Sequence, residues 1–115
     1  MTKFMVLYNN PLSASDVMAN ATPEEMKTSM EEWIKWKDAA VAGKTVKIEF
    51  GMPLQIVIRI LPKGTEESDT QVSGYSIIEA DSKDIIVELL KTHPHLKHDG
   101  ASIEVLEMLS MPGIN

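Results

Sequence analysis

The sequence has no cysteine and a single arginine, Arg59, among its 115 residues. The absence of cysteine excludes structural disulfides, thiolate nucleophiles, cysteine-type zinc sites and iron–sulfur ligation. The 11 lysine and arginine residues stand against 17 aspartate and glutamate residues, which gives a net charge of −6. Proteins that bind a phosphate backbone need basic patches, so this charge balance argues against a nucleic-acid partner.

Long hydrophobic runs are lacking too. The longest apolar stretch, residues 56–61, contains Arg59, whereas a helix that spans a membrane needs roughly 20 apolar residues. The apolar run near the N-terminus ends at Asn9 and Asn10, which makes it too short for the core of a signal peptide. We therefore expect a cytoplasmic protein with no membrane partner.

The length and composition predict one folded domain over residues 1–115. Domains usually have about 100–150 residues, and 43% hydrophobic with 24% charged residues is typical of globular proteins. Hydrophobic periodicity predicts the element order β, α, β, β, β, α, β. The strands are expected over residues 3–8, 45–50, 54–61, 72–80 and 102–109, with a polar loop over 12–21 that includes a helical turn near 15–18, a break at 51–53 and a second polar loop over 62–70.

Local signals place the ends of the two helices. Thr22 and Glu25 form a capping-box pattern around Pro23, which suits the first helical position. Gly43 is expected to end this helix as a left-handed cap. The second helix is expected to begin at Asp81 or Ser82 and to stop before Pro94.

Two right-handed crossovers through these helices predict an α+β, ferredoxin-like βαββαβ fold. The helices of that fold cover one face of the sheet and leave the other bare. Both faces of strand 3–8, and residues 56–60, are too apolar for a sheet exposed to water on one side. A small domain with such a face usually covers it by self-association, so we expect a homodimer formed by sheet-to-sheet packing.

Four fragments of the chain stand out in combination. They are Thr22-Pro23-Glu24-Glu25-Met26 with Met30, Trp33 and Trp36; Gly51-x-Pro53-Leu54; residues 74–82; and His93-Pro94-His95-Leu96 followed by residues 101–105. Their joint order, over nearly the whole chain, resembles the YCII-related (DGPF-type) domain family.

This resemblance implies a dimeric α/β barrel built from ferredoxin-like protomers. Some branches of the family resemble muconolactone-type isomerases and dehalogenases, in which a His–Asp pair is the proposed acid/base. The chain departs from those branches, since it has no histidine before His93 and no Asp-Gly-Pro-Phe signature. Catalytic roles therefore do not carry over from them.

The histidines near Pro94 are the first candidates for chemistry. Histidine titrates near neutral pH and suits proton transfer, so His95 is the expected general acid/base, with His93 beside it. Alternatively, the two imidazoles face one side of an extended segment and hold a metal with His98 or Asp99. In the structural alternative, His93 caps the preceding helix and the turn lies in solvent. We assign neither a metal nor a cofactor.

Aromatic residues are the candidates for ligand contacts. Trp33 and Trp36, with Met30 one turn earlier, lie on one helix face and are expected to line a cleft between helix and sheet. Core or dimer packing is the alternative for all three. Tyr75 is expected to orient a substrate carbonyl or enol if its phenol points into that cleft, and otherwise to be a buried tyrosine with a backbone partner.

Arg59 lies within an apolar run, and a buried arginine needs an anionic partner. Its expected partner is Glu104 or Glu49, or else a substrate carboxylate.

These observations together predict a small-molecule-binding homodimer of the YCII-related type. If it is an enzyme, we expect a cofactor-free isomerase or lyase that acts on a small organic acid or lactone. The alternative is a non-catalytic ligand-binding or accessory dimeric module, and a purely structural dimer is a third possibility.

Overall fold

The computed structural model describes residues 1–113. Its elements are β1 (Thr2–Asn9), α1 (Ala14–Asn20), α2 (Pro23–Ala42), β2 (Val46–Pro53), β3 (Arg59–Leu61), β4 (Gly64–Glu66), β5 (Val72–Ala80), α3 (Lys83–Leu90), a 3₁₀ turn (Pro94–Lys97) and β6 (Ser102–Glu107). Among residues 1–113, no helix is both long enough and apolar enough to cross a lipid bilayer.

Four strands form one antiparallel sheet in the order β2-β5-β1-β6. The central strands β1 and β5 pair along their length, from Thr2 opposite Ala80 to Asn9 opposite Val72. Since β1 and β2 both run antiparallel to β5, they are parallel to each other, and α2 forms the crossover between them. The predicted α+β class is confirmed, and the arrangement is compatible with a ferredoxin-like fold.

The two faces of this sheet differ in what covers them. Alternation along the strands places Phe4, Val6, Tyr8, Ile78 and Ala80 beneath the helices, and each is at most 3% exposed. We call this side the covered face. The opposite side, the open face, carries the half-buried or exposed side chains of Met5, Leu7, Tyr75, Ile77 and Leu106.

Side-chain caps begin both predicted helices where the sequence places them. Thr22 Oγ1 accepts from the Glu25 N–H, and the Glu25 carboxylate accepts from the Thr22 N–H, each at 3.1 Å. Ser82 caps α3 by accepting from the Ile85 N–H at 3.4 Å. The predicted left-handed cap at Gly43 is wrong: Gly43 stays right-handed at φ −74°, and Lys44 takes the positive φ of 59° one residue later.

The predicted strand over 54–61 is largely wrong, because only Arg59–Leu61 forms a strand. It pairs with β4 in a separate two-stranded sheet, so part of the predicted 62–70 loop is a strand as well. Residues 54–58 have no neighbouring strand in the main sheet and form no ladder, although the Leu54 N–H still bonds the Ser73 carbonyl at 2.9 Å. We call residues 54–70 the arm.

Two further boundaries differ from expectation. β2 continues through the predicted break at 51–53, and the ladder instead shifts register between Phe50 and Pro53. Gly51 belongs there because the backbone and ring of Tyr75 lie against it and leave no room for a side chain. The predicted loop over 12–21 contains the helix α1, whose first turn Ser13 caps.

Candidate functional site

Five rings meet where the end of β1 contacts α2 and the 3₁₀ turn. Tyr8 comes from the covered face, Trp33 and Trp36 from α2, and His93 and His95 from the chain that follows α3. The His93 ring lies 4.4 Å from each indole and 5.0 Å from the Tyr8 ring, measured between centroids. We call these five residues the ring cluster.

His93 is placed by the end of α3 and the start of the 3₁₀ turn. Its N–H donates to the Leu90 carbonyl at 3.1 Å, and its Nδ1 accepts from the His95 N–H at 3.0 Å. Pro94 holds the first position of the turn, where a missing N–H does no harm. Because Nδ1 is an acceptor, the proton of the neutral His93 ring lies on Nε2.

His95 ties the turn to the sheet. Its Nε2 donates to the Asn9 carbonyl at 2.8 Å, and this hydrogen bond is buried. A surface ion pair between Lys97 and Glu32, at 2.6 Å, also joins the turn to α2. His93 and His95 are only 2% and 4% exposed, so the solvated turn of the structural alternative is wrong for His95.

Burial keeps the imidazoles of the ring cluster neutral. It lowers the pKa of His93 from 6.5 to about 3, with a smaller contribution from repulsion by His95. Burial also lowers the pKa of His95, and the carbonyls of Asn9 and Ser102 oppose that shift only in part. Both rings are therefore uncharged at neutral pH, in contrast to the titration near neutrality that the sequence predicts.

Tyr8 contributes its ring to the cluster from the covered face of the sheet. Its hydroxyl donates to Ser76 Oγ at 2.9 Å, and both residues are almost fully buried. Burial raises the pKa of the phenol, although the bond to Ser76 works in the opposite direction. One signal in the sequence points to Tyr8, because it shares a strand face with Phe4 and Val6. Both faces of that strand are apolar in sequence, so the pattern does not show which face enters the core.

Two buried donors of the cluster have no hydrogen-bond partner within residues 1–113. They are Nε2 of His93 and Nε1 of Trp36, and the rings that carry them have centroids 4.4 Å apart. We call them the donor pair. Each of them is an N–H that can only donate, so each needs a hydrogen-bond acceptor.

The structure brings four of the seven predicted site residues together: His93, His95, Trp33 and Trp36. Met30 lies on the same helix but is 57% exposed. Tyr75 pairs opposite Leu7 on the open face, so the expectation that its phenol points into the helix–sheet cleft is wrong. The cause is the period of two along a strand, which sends Tyr75 away from its buried neighbours Gly74 and Ser76.

Arg59 lies in the arm and not in the core. Its guanidinium bonds Glu66 at 3.0 Å and also bonds Asp69, so the predicted partners Glu104 and Glu49 are wrong. The partners are local because Arg59 stands directly opposite Glu66 in the β3–β4 ladder. These two acids raise the already high pKa of the guanidinium.

Two cavities lie outside the ring cluster. One, of about 290 Å³, is lined by residues 54–58 with Ser68, Thr70 and Val72. The other, of about 200 Å³, lies between α3 and β6 and is lined by Val87, Leu90, Lys91, Leu96, Ile103 and Val105. Within residues 1–113, no three His, Asp or Glu side chains converge as a metal site.

Comparison with known proteins does not indicate a function, so the geometry is the basis for assigning one. No protein-family model matches the chain, and no curated protein matches it either.

Proposed function

We propose that the protein is a homodimeric small-molecule-binding protein of the YCII-related type, whose ligand offers a hydrogen-bond acceptor to the donor pair. The observation that carries this proposal is the pair of buried N–H groups without partners on His93 and Trp36. A buried donor left unsatisfied costs about 1–3 kcal/mol, and folded proteins satisfy nearly all of them. A ligand oxygen bonded to either donor would remove that cost there.

The surroundings of the donor pair favour a small organic acid or a lactone. The rings of Tyr8 and Trp33 supply apolar and aromatic walls, and the neutral His93 ring bonds a carbonyl or a carboxylate oxygen without needing a charge. Trp33 and Trp36 are each only half buried, so the ligand enters beside the indoles by displacing one of their edges.

The same geometry favours binding over turnover. Nδ1 of His93 already accepts a backbone N–H, and Nε2 of His95 already donates to Asn9. The lowered pKa of each imidazole leaves neither ring a strong base at neutral pH. Tyr75 lies on the open face, so its phenol does not reach the cluster. The non-catalytic ligand-binding module is accordingly the form of the proposal that we favour.

The open face supports the homodimer and the dimeric barrel. The protomer measures only 20 Å along its shortest axis, which matches one layer of helices packed on one layer of sheet. Met5, Leu7 and Ile77 form adjacent apolar side chains at the centre of the open face. A second copy, packed face to face through a two-fold axis, would cover them.

Nitrogen-15 NMR spectroscopy tests the binding proposal directly, because the chain has only two tryptophans and therefore two indole N–H signals. The chain is titrated with small carboxylic acids, with lactones and with apolar analogues of equal size that lack an acceptor. We expect acids or lactones to move the Trp36 signal more than the Trp33 signal, and the apolar analogues to move neither.

Matched variants identify the donor. Trp36→Phe keeps an aromatic ring and removes the N–H, so it should weaken binding of the best acid or lactone at least tenfold. Trp33→Phe removes an indole that is not part of the donor pair, so it should weaken binding much less. The proposal fails if no acceptor-bearing compound shifts the Trp36 signal, in which case the donors point at neighbouring aromatic faces. If the wild-type protein converts one of the tested compounds and His95→Gln does not, the protein is an enzyme instead.

A further inference from the structure

The arm exposes more apolar side chain than any element of the main sheet. Val57 is 82% exposed and Ile60 is 78% exposed, while Ile58 and Leu61 are 50% and 42% exposed. Together with Leu54 and Ile56, they lie in a largely apolar segment of the chain that only Gln55 and Arg59 interrupt. A concentration of exposed apolar side chains of this kind is typical of an interaction site.

The arm nevertheless has a defined structure of its own. Its strands β3 and β4 pair from Arg59 opposite Glu66 to Leu61 opposite Gly64, and Arg59 in the first half of the arm bonds Glu66 and Asp69 in the second half. At its base, the Leu54 N–H donates to the Ser73 carbonyl. The arm therefore holds its apolar side chains in place before any partner arrives, which lowers the entropy that binding must overcome.

The exposed surface area leaves room for an interface of the size found in dimers. A folded monomer of 12.8 kDa exposes about 6,300 Å², whereas this chain exposes 8288 Å². The excess of about 2,000 Å² is within the range that each protomer of an obligate homodimer buries. The radius of gyration, 15.8 Å, also exceeds the roughly 13 Å of a compact domain of this length.

We propose that the arm packs against a second copy of this chain and extends the sheet-to-sheet interface. This inference rests on the homodimer in the proposed function, and it adds the segment that reaches across. The contact is isologous, so each protomer contributes one arm and receives one.

Sedimentation equilibrium of the full chain tests the arm. We expect wild-type protein with twice the chain mass of 12.8 kDa, and a dimer dissociation constant at least tenfold higher in the double variant Val57→Ser with Ile60→Ser. Both side chains are exposed in the protomer, so the fold should survive, as circular dichroism will show. Lys63→Ser, between β3 and β4 in the same arm, is the matched control and should leave the constant unchanged.

Cross-linking separates failure of the arm from failure of the dimer. The chain has no cysteine, so Val57→Cys carries one benzophenone maleimide at a single site, and we expect photo-adducts that join two chains. If the wild type is a dimer, but the double variant dimerises equally well and the adducts stay within one chain, the arm proposal fails and the homodimer stands. A monomeric wild type overturns both, and co-sedimentation of that monomer with phosphatidylcholine vesicles would assign the arm to a lipid surface.

Discussion

Ile77 and Ile78 are neighbours in β5 and lie on opposite faces of the same sheet. Ile78 is completely buried beneath the helices, whereas Ile77 is only half buried on the open face. The two side chains are chemically identical, so their hydrophobicity does not decide which one enters the core. The handedness of the crossovers through α2 and α3 decides it, because both helices pack on one side.

The polar groups differ between the faces as well. On the open face, charged residues surround the apolar centre: Lys3 pairs with Glu79 at 3.7 Å, and Lys47 and Glu49 stand opposite Glu79 and Ile77. On the covered face, the polar groups are neutral and buried, as with Ser76 and His93. A mixed surface is typical of an interface, and a neutral buried set is typical of a core with a specific binding site.

The largest expected effect comes from Ile78→Ala. Removing a buried isoleucine side chain should lower the free energy of unfolding by about 2–5 kcal/mol, at any protein concentration. Ile77→Ala is the matched variant on the open face, and its effect should shrink as protein concentration falls, because it weakens association and leaves the dissociated protomer unchanged. Urea unfolding at two concentrations measures both.

Equal, concentration-independent losses in Ile77→Ala and Ile78→Ala would contradict the comparison. They would mean that the protomer itself covers both sides of β5, and the homodimer would lose its main support.

The next largest effect concerns acid stability and His93. Its folded pKa of about 3 lies below the unfolded value of 6.5, so between these pH values the unfolded chain binds a proton that the folded chain does not. The stability that the neutral ring contributes is fully present above pH 6.5 and is lost as pH falls towards 3. Since each pKa unit corresponds to about 1.4 kcal/mol, the loss should reach a few kcal/mol.

His93→Asn removes this ionisation and keeps a side-chain acceptor near the His95 N–H. The free energy of unfolding of wild type and variant is measured by urea titration at several pH values from 7 to 4. We expect the advantage of the wild type to shrink steadily as the pH falls. His98→Gln, at the exposed end of the turn, should retain the wild-type profile, and an unchanged profile in His93→Asn would show that burial does not suppress protonation of this ring.

The sequence was informative where structure depends on near neighbours. The capping box of Thr22 and Glu25, the Ser82 cap and the bounds of β5 follow from residues within four positions of one another, and all three are confirmed. The side of the sheet on which Tyr75 lies depends on pairing with Leu7, 68 positions away. No local pattern contains that register, so the sequence predicts Tyr75 in the cleft and does not single out Tyr8.

The prediction for Arg59 is wrong for a related reason. Apolar alternation over 54–61 is typical of a buried strand, and a buried arginine would need Glu49 or Glu104. The alternation serves an arm that its own protomer does not cover, in which Arg59 pairs with Glu66 across a short hairpin. A segment that its own protomer leaves exposed has the same sequence pattern as a core.

The two tyrosines provide a smaller test of the covered and open faces. Tyr8→Phe removes the donor to Ser76 Oγ and leaves that buried hydroxyl unpaired, which should cost about 1–3 kcal/mol of unfolding free energy. Tyr75→Phe changes a phenol on the open face and should leave both protomer stability and ligand binding close to wild type. Thermal denaturation and the NMR titration measure the two quantities. Loss of ligand binding in Tyr75→Phe alone would return Tyr75 to the site.

The smallest effect tests how far the covered face depends on α2. Thr22→Ala removes the Oγ1 atom that accepts from the Glu25 N–H and should destabilise the chain by about 1 kcal/mol. Thr28→Ala, at an exposed position within the same helix, is the control and should be neutral or slightly stabilising, because alanine is the better helix former. If Thr22→Ala also broadens the Trp33 and Trp36 indole signals while Thr28→Ala does not, the start of α2 holds the ring cluster against the sheet, and the covered face owes its order to this helix.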